Sequence, residues 1–286
     1  MRLKSGNLLW PDLSPRPRDY PALPGDVFCD VLVVGAGVSG ALTAWHLARA
    51  GFDVLVVDRR LPVSGSTPAS TALLQYELDT TLIELRRLIG RECADRAYRR
   101  CGLALNDISK VVSSLDEDVG LGLRPSLYIA KSDHDIERLG CEAAAREQIG
   151  LPSHFIAKDQ LRSRYTIDRA GAIVSHGAME IDPYRFTIAL LQSAVRQGVR
   201  IYRAPVELSR FDRHRIWLRS GESRVCAHHV VFATGYEIPR ALQSRYCTLK
   251  STYAIASDPL DPSLLWPQRA LIWEASDPYL YLRTTA

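Results

Sequence analysis

Residues 30–58 read DVLVVGAGVSGALTAWHLARAGFDVLVVD, and this stretch decides the fold. Val31 to Val34 is an apolar run of strand type, Gly35, Gly37 and Gly40 interrupt it, a helical pattern runs to about Ala50, and Val54 to Val57 is a second apolar run that delivers Asp58. Strand, glycine turn, helix, strand and acid in this register describe a βαβ unit that cradles a dinucleotide. Gly35 permits the tight turn. Gly37 lets the backbone approach a diphosphate over the helix N-terminus, where unpaired N–H groups and the helix dipole favour negative charge, and Gly40 lets helix and strand pack closely. Ala36, Val38 and Ser39 complete the turn. Asp58, followed by Arg59, stands where a carboxylate can accept both ribose hydroxyls of an adenosine.

The remaining composition bounds the answer. A chain of 286 residues with 47% hydrophobic and 24% charged content is ordinary for a soluble enzyme of one large domain or two. The net charge of +4 is spread along the chain in short clusters such as Arg86-Arg87 and Arg213-His214-Arg215, which gives a nucleic-acid partner little support. Six cysteines (Cys29, Cys93, Cys101, Cys141, Cys226 and Cys247) lack CxxC or Cys/His ligand spacing, so they are expected to be reduced and mostly buried, with no metal site. Met1 to Gly25 has no apolar leader core, and no run of eighteen apolar residues occurs, so a cytoplasmic location without a membrane span is expected.

Taken in order, residues 1–28 carry Pro11, Pro15, Pro17, Pro21 and Pro24, which forbid a continuous helix and predict an extended arm anchored by Trp10 and Tyr20. After Asp58 the chain does not proceed to a third parallel strand but enters PVSGSTPAST, residues 62–71, a hydroxyl-rich loop of a kind that binds phosphate. Apolar spacing from about Thr80 to Ser114 predicts two helices. Leu127 to Ala130 reads as a strand, His134 to Ile149 as a helix capped by Ser132 or Asp133 with Glu137 in its first turns, and Gly171 to Glu180 as strand and turn. His176, in that last segment, reads as a satisfied turn histidine more readily than as a catalytic one. Asp182-Pro183 starts a helix to about Gln197, and Val199 to Tyr202 is the next strand. Short antiparallel strands follow at Val206 to Leu208, Ile216 to Leu218 and Arg224 to Phe232, then strands at Ser251 to Ser257 and Tyr279 to Thr284.

By the Ala233-Thr234-Gly235 turn the pattern resembles the FAD-dependent oxidoreductases of the D-amino-acid oxidase and glycine oxidase superfamily. The resemblance rests on Gly35, Gly37, Gly40 and Asp58; on GSTPASTALLQ, residues 65–75; on MEIDPYRFTIAL, residues 179–190; on Val206; on VVFATG, residues 230–235; and on WEASDPYLYLRTT, residues 273–285. It implies a mixed α/β fold, with a Rossmann-like FAD-binding domain and an inserted antiparallel-sheet substrate domain. The implied domains are an arm over 1–28, a discontinuous FAD-binding domain over 29–80 and 170–240, and a helical cap and substrate domain over 81–169 and 241–286. It also implies that the turn and Asp58 hold the ADP half of FAD, that Ser66, Thr67, Ser70 and Thr71 run past the diphosphate, that Val206 contacts the adenine, and that Ala233, Thr234 and Gly235 lie under the cofactor.

In the last strand Tyr279, Tyr281 and Arg283 alternate onto one face and offer a guanidinium with two phenols, a fork suited to a carboxylate. The position of Arg283 is similar to that of the carboxylate-binding arginine of glycine-oxidase-like enzymes. The implied reaction is hydride transfer from a C–N bond of an amino acid or amine to the flavin, with oxygen or another acceptor reoxidising it; no dedicated base is needed once the amine is neutral. Family members continue past the strand at Tyr279 with a closing unit, so a chain that stops at Ala286 is expected to be a truncated member, and a non-catalytic remnant is the alternative. An NAD-dependent dehydrogenase on the same cradle is disfavoured by the hydroxyl loop and the missing third parallel strand.

Overall fold

The computed structural model describes residues 6–239, 250, 252–274 and 280–285. Among these, the strands in chain order are β1 (Val27–Val34), β2 (Val54–Asp58), β3 (Leu73–Leu74), β4 (Gly122–Ile129), β5 (Ser153–Ala157), β6 (Gly171–Glu180), β7 (Arg200–Arg203), β8 (Glu207–Phe211), β9 (Ile216–Ser220), β10 (Ser223–Phe232), β11 (Leu271–Glu274) and β12 (Tyr281–Leu282). The helices are α1 (Leu9–Asp12), α2 (Val38–Arg49), α3 (Leu82–Ile89), α4 (Arg91–Ser113), α5 (Ile136–Gln148), α6 (Lys158–Tyr165) and α7 (Pro183–Arg196). The chain divides into two compact units: Met1–Ser70 with Leu115–Val119 and Asp182–Ile255, and Thr71–Ser114 with Gly120–Ile181 and Ala256–Ala286.

The first unit is built on a sheet of order β7-β2-β1-β10-β9-β8. β7, β2, β1 and β10 run parallel, while β9 and β8 are antiparallel additions at the edge. Strands buried on both faces read as unbroken apolar runs, and Val54 to Val57 are all buried accordingly. β10 was expected as one of three short antiparallel strands; it pairs antiparallel with β9 but parallel with β1, which places it inside the sheet. The parallel strand missing after Asp58 is supplied by β7, beside β2, once the chain has returned through α7. Asp182 caps α7 by accepting hydrogen bonds from Tyr184 N at 2.8 Å and Arg185 N at 3.0 Å, with Pro183 pre-setting the first helical residue. α2 and α7 are joined at a buried bond, Trp45 Nε1 to Ser193 Oγ at 3.1 Å. In the arm, Trp10 is buried against Val63 and Tyr184 and donates to Ser70 O at 2.9 Å, while Arg203 N donates to Pro21 O.

The second unit carries a sheet of order β12-β11-β4-β6-β3, with β5 on the same edge of β6 as β3. Residues Gly171–Ile181, expected in the FAD-binding domain, belong here, because β6 is the central strand that β3, β4 and β5 all pair with. β6 is one continuous strand rather than strand and turn; Gly177 at φ 87° and a register shift opposite Arg124 and Ser126 absorb the irregularity. Exposed His176 stacks on His154 there, with centroids 5.6 Å apart. Gly90 at φ 83° separates α3 from α4. Ser132 forms a capping box with Asp135 over a single 3₁₀ turn that precedes α5, and Glu137 lies in the first turn of α5. Residues 252–257 form no strand and are exposed, so the strand expected at Ser251 to Ser257 is corrected over its described part. Of the five described cysteines, Cys29 and Cys226 are buried but Cys93 and Cys141 are exposed, which corrects the expectation of mostly buried thiols. Among the described residues no helix is long and apolar enough to cross a membrane.

The core of this unit contains charge. Arg146, fully buried, donates Nε to Glu142 Oε1 at 2.7 Å and lies 3.8 Å from buried Glu77, between the rings of Tyr98 and Tyr128. Glu142 in turn accepts from Leu82 N at 2.7 Å and Ile83 N at 2.9 Å, so it caps α3 from another helix. Removing one member of a buried ionic group strands the others. Arg146→Met is expected to destabilise the chain by about 3–5 kcal/mol, read as a shift of the denaturation midpoint, and Glu77→Leu in that background is expected to recover part of the loss.

Candidate functional site

The glycine turn is held by contacts that leave no room for side chains. A Cβ on Gly40 would lie 1.9 Å from Gly35 O, and one on Gly35, itself at φ 114°, would lie 2.4 Å from Ala233 O. Gly35 N donates to Val57 O and Ala233 N to Val34 O, both at 2.8 Å, so the ends of β1, β2 and β10 meet at this turn. Asp58 is fixed there: its Oδ2 accepts from Ala36 N at 2.8 Å and its Oδ1 from Arg60 N at 2.9 Å.

The hydroxyl loop reaches the same place. Thr67 Oγ1 accepts from Val38 N at 3.1 Å and would lie 3.1 Å from a Cβ on Gly37. Ser66 Oγ would lie 3.6 Å from a Cβ on Gly235, whose φ is 57°. The structure therefore brings Gly35 to Gly40, Asp58, Ser66, Thr67 and Ala233 to Gly235 together within the first unit. Ser70 is exposed at the end of that unit and its carbonyl is taken by Trp10, while Thr71 is the first residue of the second unit. Val206 packs with the sheet core that contains Val27, Leu55 and Val225.

Glu237 pairs with the two arginines that follow Asp58 and was not singled out in the sequence. Its carboxylate bridges Arg59 and Arg60, each donating Nη2 to a separate oxygen. Burial pushes the Glu237 carboxyl up, but the hydrogen bonds and charges of Arg60 and Arg59 outweigh it and hold it below the ordinary glutamate range. Its only sequence signal is an acid two residues beyond the Ala233-Thr234-Gly235 turn.

The substrate candidates lie in the second unit. Tyr279 falls outside the described residues. Tyr281 stacks beside Trp273 and donates its hydroxyl to Asp79 at 2.8 Å. The Arg283 guanidinium is largely buried: Nη1 donates to the carbonyls of Thr71, Ala72 and Ile181 at 2.9–3.2 Å, and Nη2 lies 3.4 Å from Glu180. Leu280 and Leu282 are partly exposed. Among the described residues no group of three His, Cys, Asp or Glu is placed to hold a metal ion.

Residues 30–286 match the family described as FAD dependent oxidoreductase, DAO. The chain belongs to this family. It is 26% identical over 226 residues to the Bacillus subtilis protein YhfW, which carries a Rieske 2Fe-2S iron-sulfur name, covering 76% of this chain and 43% of that one. It is 25% identical over 225 residues to gamma-glutamylputrescine oxidoreductase of Escherichia coli, covering 75% and 50%. The chain thus spans about half the length of these curated relatives. Among solved structures, L-proline dehydrogenase from P. horikoshii superposes with a TM-score of 0.68 over 92% of this chain and 68% of its own at 15% identity, a likeness of fold.

FAD is the cofactor of the family, and the donor set fits it. The cap residue of α2 is a glycine without a capping side chain, and among the described residues no side chain accepts from Ser39 N or Gly40 N, which leaves the leading N–H groups for an anion. Asp58 uses one acceptor site on each oxygen, and a carboxylate has about four, so capacity remains for ribose hydroxyls. Thr67 accepts from Val38 N and keeps its own O–H to donate.

Two outcomes follow from this geometry. Gly40→Ala drives a methyl into Gly35 O and is expected to cost about 3 kcal/mol or more, whereas Gly140→Ala, in α5 with nothing within 4 Å of its Cβ, is expected to raise the melting temperature. Glu237, lowered on folding, stabilises the fold fully above the ordinary glutamate value of about 4.3 and loses that contribution as pH falls through its lower folded value. Acid melting curves of Glu237→Gln should therefore converge on those of the native chain at low pH and lie below them near neutrality.

Proposed function

We propose that this chain carries the nucleotide-binding and substrate portions of an FAD-dependent oxidoreductase that oxidises a C–N bond of an amino acid or secondary amine. The single observation behind the reading is the convergence of the glycine turn, fixed Asp58 and the Thr67 hydroxyl on the N-terminus of α2. In this reading the diphosphate lies on Gly35, Ala36, Gly37, Val38, Ser39 and Gly40, with Ser66, Thr67, Ser70 and Thr71 along its path. Asp58 holds the ribose, Arg59 flanks it, Val206 backs the adenine, and Ala233, Thr234 and Gly235 support the cofactor from below. FAD when bound supplies the two-electron hydride acceptor, and oxygen or another acceptor takes the electrons on.

The protein's own residues bind and orient. For the substrate, Arg283 with Tyr281 and Tyr279 is the proposed carboxylate fork; Arg283 is pre-positioned by three carbonyls and Glu180, which fixes the guanidinium plane before a ligand arrives. An amine or amino acid as substrate is in keeping with the name of the Escherichia coli relative, gamma-glutamylputrescine oxidoreductase. A small-molecule substrate and an electron acceptor are the only partners this reading needs.

Visible absorbance of the purified chain, before and after addition of FAD and then of a panel of amino acids and secondary amines, tests the proposal. A flavin spectrum bleached by one of them supports it; a chain that takes up no FAD overturns it. Asp58→Asn, checked for folding by circular dichroism, is expected to weaken FAD binding by about 1.5–3 kcal/mol, roughly 10- to 100-fold in Kd.

A further inference from the structure

A groove of about 250 Å³ lies inside the first unit, between the N-terminal arm and α7. Arg185, Ile188, Ala189 and Gln192 line its helical wall, and their spacing of three, four and seven residues puts them on one face of α7 over about 10 Å. Pro15, Arg16 and Arg18 form the opposite wall. Ile188 and Ala189 make the floor apolar, and Ile188 also packs against the buried cluster of Trp10, Val63 and Tyr184 that anchors the arm. The rim is basic. Arg16, Arg18 and Arg185 are exposed and form no ion pair among the described residues; Arg18 lies over the Tyr20 ring, 6.0 Å from its centroid. Among the described residues the one acid that lines the groove is Glu117, and it stands 3.9 Å from Arg196, which also pairs with Asp116 at 2.8 Å.

The groove is built before any ligand arrives. The arm is tied down on both sides of it: Trp10 Nε1 donates to Ser70 O at 2.9 Å and Ser14 Oγ to Asp182 Oδ2 at 3.5 Å, while farther along Asp19 pairs with Arg203 at 3.0 Å and Arg203 N donates to Pro21 O at 2.8 Å. Pro15 and Pro17 fix the backbone on either side of Arg16, so this wall loses little conformational freedom when a ligand binds. Three guanidinium groups stand around an apolar floor with one carboxylate, already paired, to offset them. That combination fits a negatively charged head on an apolar body.

We propose that the groove between the arm and α7 is a binding site for an amphiphilic organic acid, with an anionic head and an alkyl or aryl body. The head is held among the guanidinium groups of Arg16, Arg18 and Arg185, and the body lies along Ile188 and Ala189. The occupant is a free acid and not a membrane, because the arginines line a concavity and not a plane. The site uses the arm and α7 alone and needs no flavin, so its failure leaves the oxidoreductase reading untouched, and the reverse holds equally.

Calorimetric titration of the full chain with octanoate, at constant ionic strength, tests the proposal. Saturable binding is expected, with acetate, which lacks the body, and octyltrimethylammonium, which reverses the charge of the head, each binding at least tenfold more weakly. Arg16→Gln and Arg185→Gln are each expected to weaken octanoate binding at least tenfold while circular dichroism remains that of the native chain. Arg210→Gln, at an exposed arginine in β8, serves as the unaffected control. No saturable heat with octanoate, equal affinity for octyltrimethylammonium, or native affinity in Arg185→Gln overturns the proposal. Retention on phosphatidylglycerol vesicles without any binding of octanoate assigns the face to a membrane and overturns it as well.

Discussion

The close approach of Gly35 to Gly40 and to Ala233 is the constraint on which the first unit depends. Any side chain at Gly35 or Gly40 would occupy the position of a backbone carbonyl, so the turn exists only with bare α-carbons. Through it the ends of β1, β2 and β10 are locked by Gly35 N to Val57 O and Ala233 N to Val34 O. Segments far apart in the sequence are thereby brought to one helix terminus. Within the turn, Asp58 takes the N–H group of Ala36 and Thr67 that of Val38, which fixes the turn while the next N–H groups keep their capacity for an anion.

The second unit solves a different problem. Its sheet has β6 at the centre and apolar residues such as Leu127, Ile173 and Ala172 fully buried, yet its helical layer is organised by charge. Glu142 caps α3 across space and Arg146 holds Glu142 in place, with two tyrosine rings closing over the guanidinium. Buried ion groups of this kind add little net stability compared with apolar packing, but they tolerate only one arrangement. The cluster therefore fixes the register of α3 against α5.

What could be read in the sequence is what local physics determines. The β1-α2-β2 unit was legible because apolar runs, glycines and Asp58 lie within one short stretch, and α7 because Asp182-Pro183 is a self-contained start signal. The two helices between Thr80 and Ser114 were legible from apolar spacing, while the break between them at Gly90 was not located. β5 and α6 were missed: α6 is polar and buries only Leu161 and Tyr165, and β5 gains its identity from pairing with β6. The direction of β10 relative to β1 is set by a partner almost two hundred residues away, beyond the reach of any periodicity. Of the cradle, the glycines and Asp58 were legible from local pattern and Thr67 through the resemblance; Glu237 was not, and neither was Glu180 in the second unit, since an acid shows its role only when its arginines arrive from elsewhere in the chain.

Those two carboxylates share a physical logic. Glu237 bridges Arg59 and Arg60; Glu180 gathers Arg124, Arg269 and Arg283. In each case one negative charge orients more than one guanidinium, so positive charge is positioned without being cancelled. An arginine left alone on a surface samples many rotamers and loses that freedom when it binds. One already aligned by a carboxylate has lost it on folding, and its remaining donors point in a fixed direction. The acid that does the positioning also limits how much uncompensated charge its arginines leave in the fold.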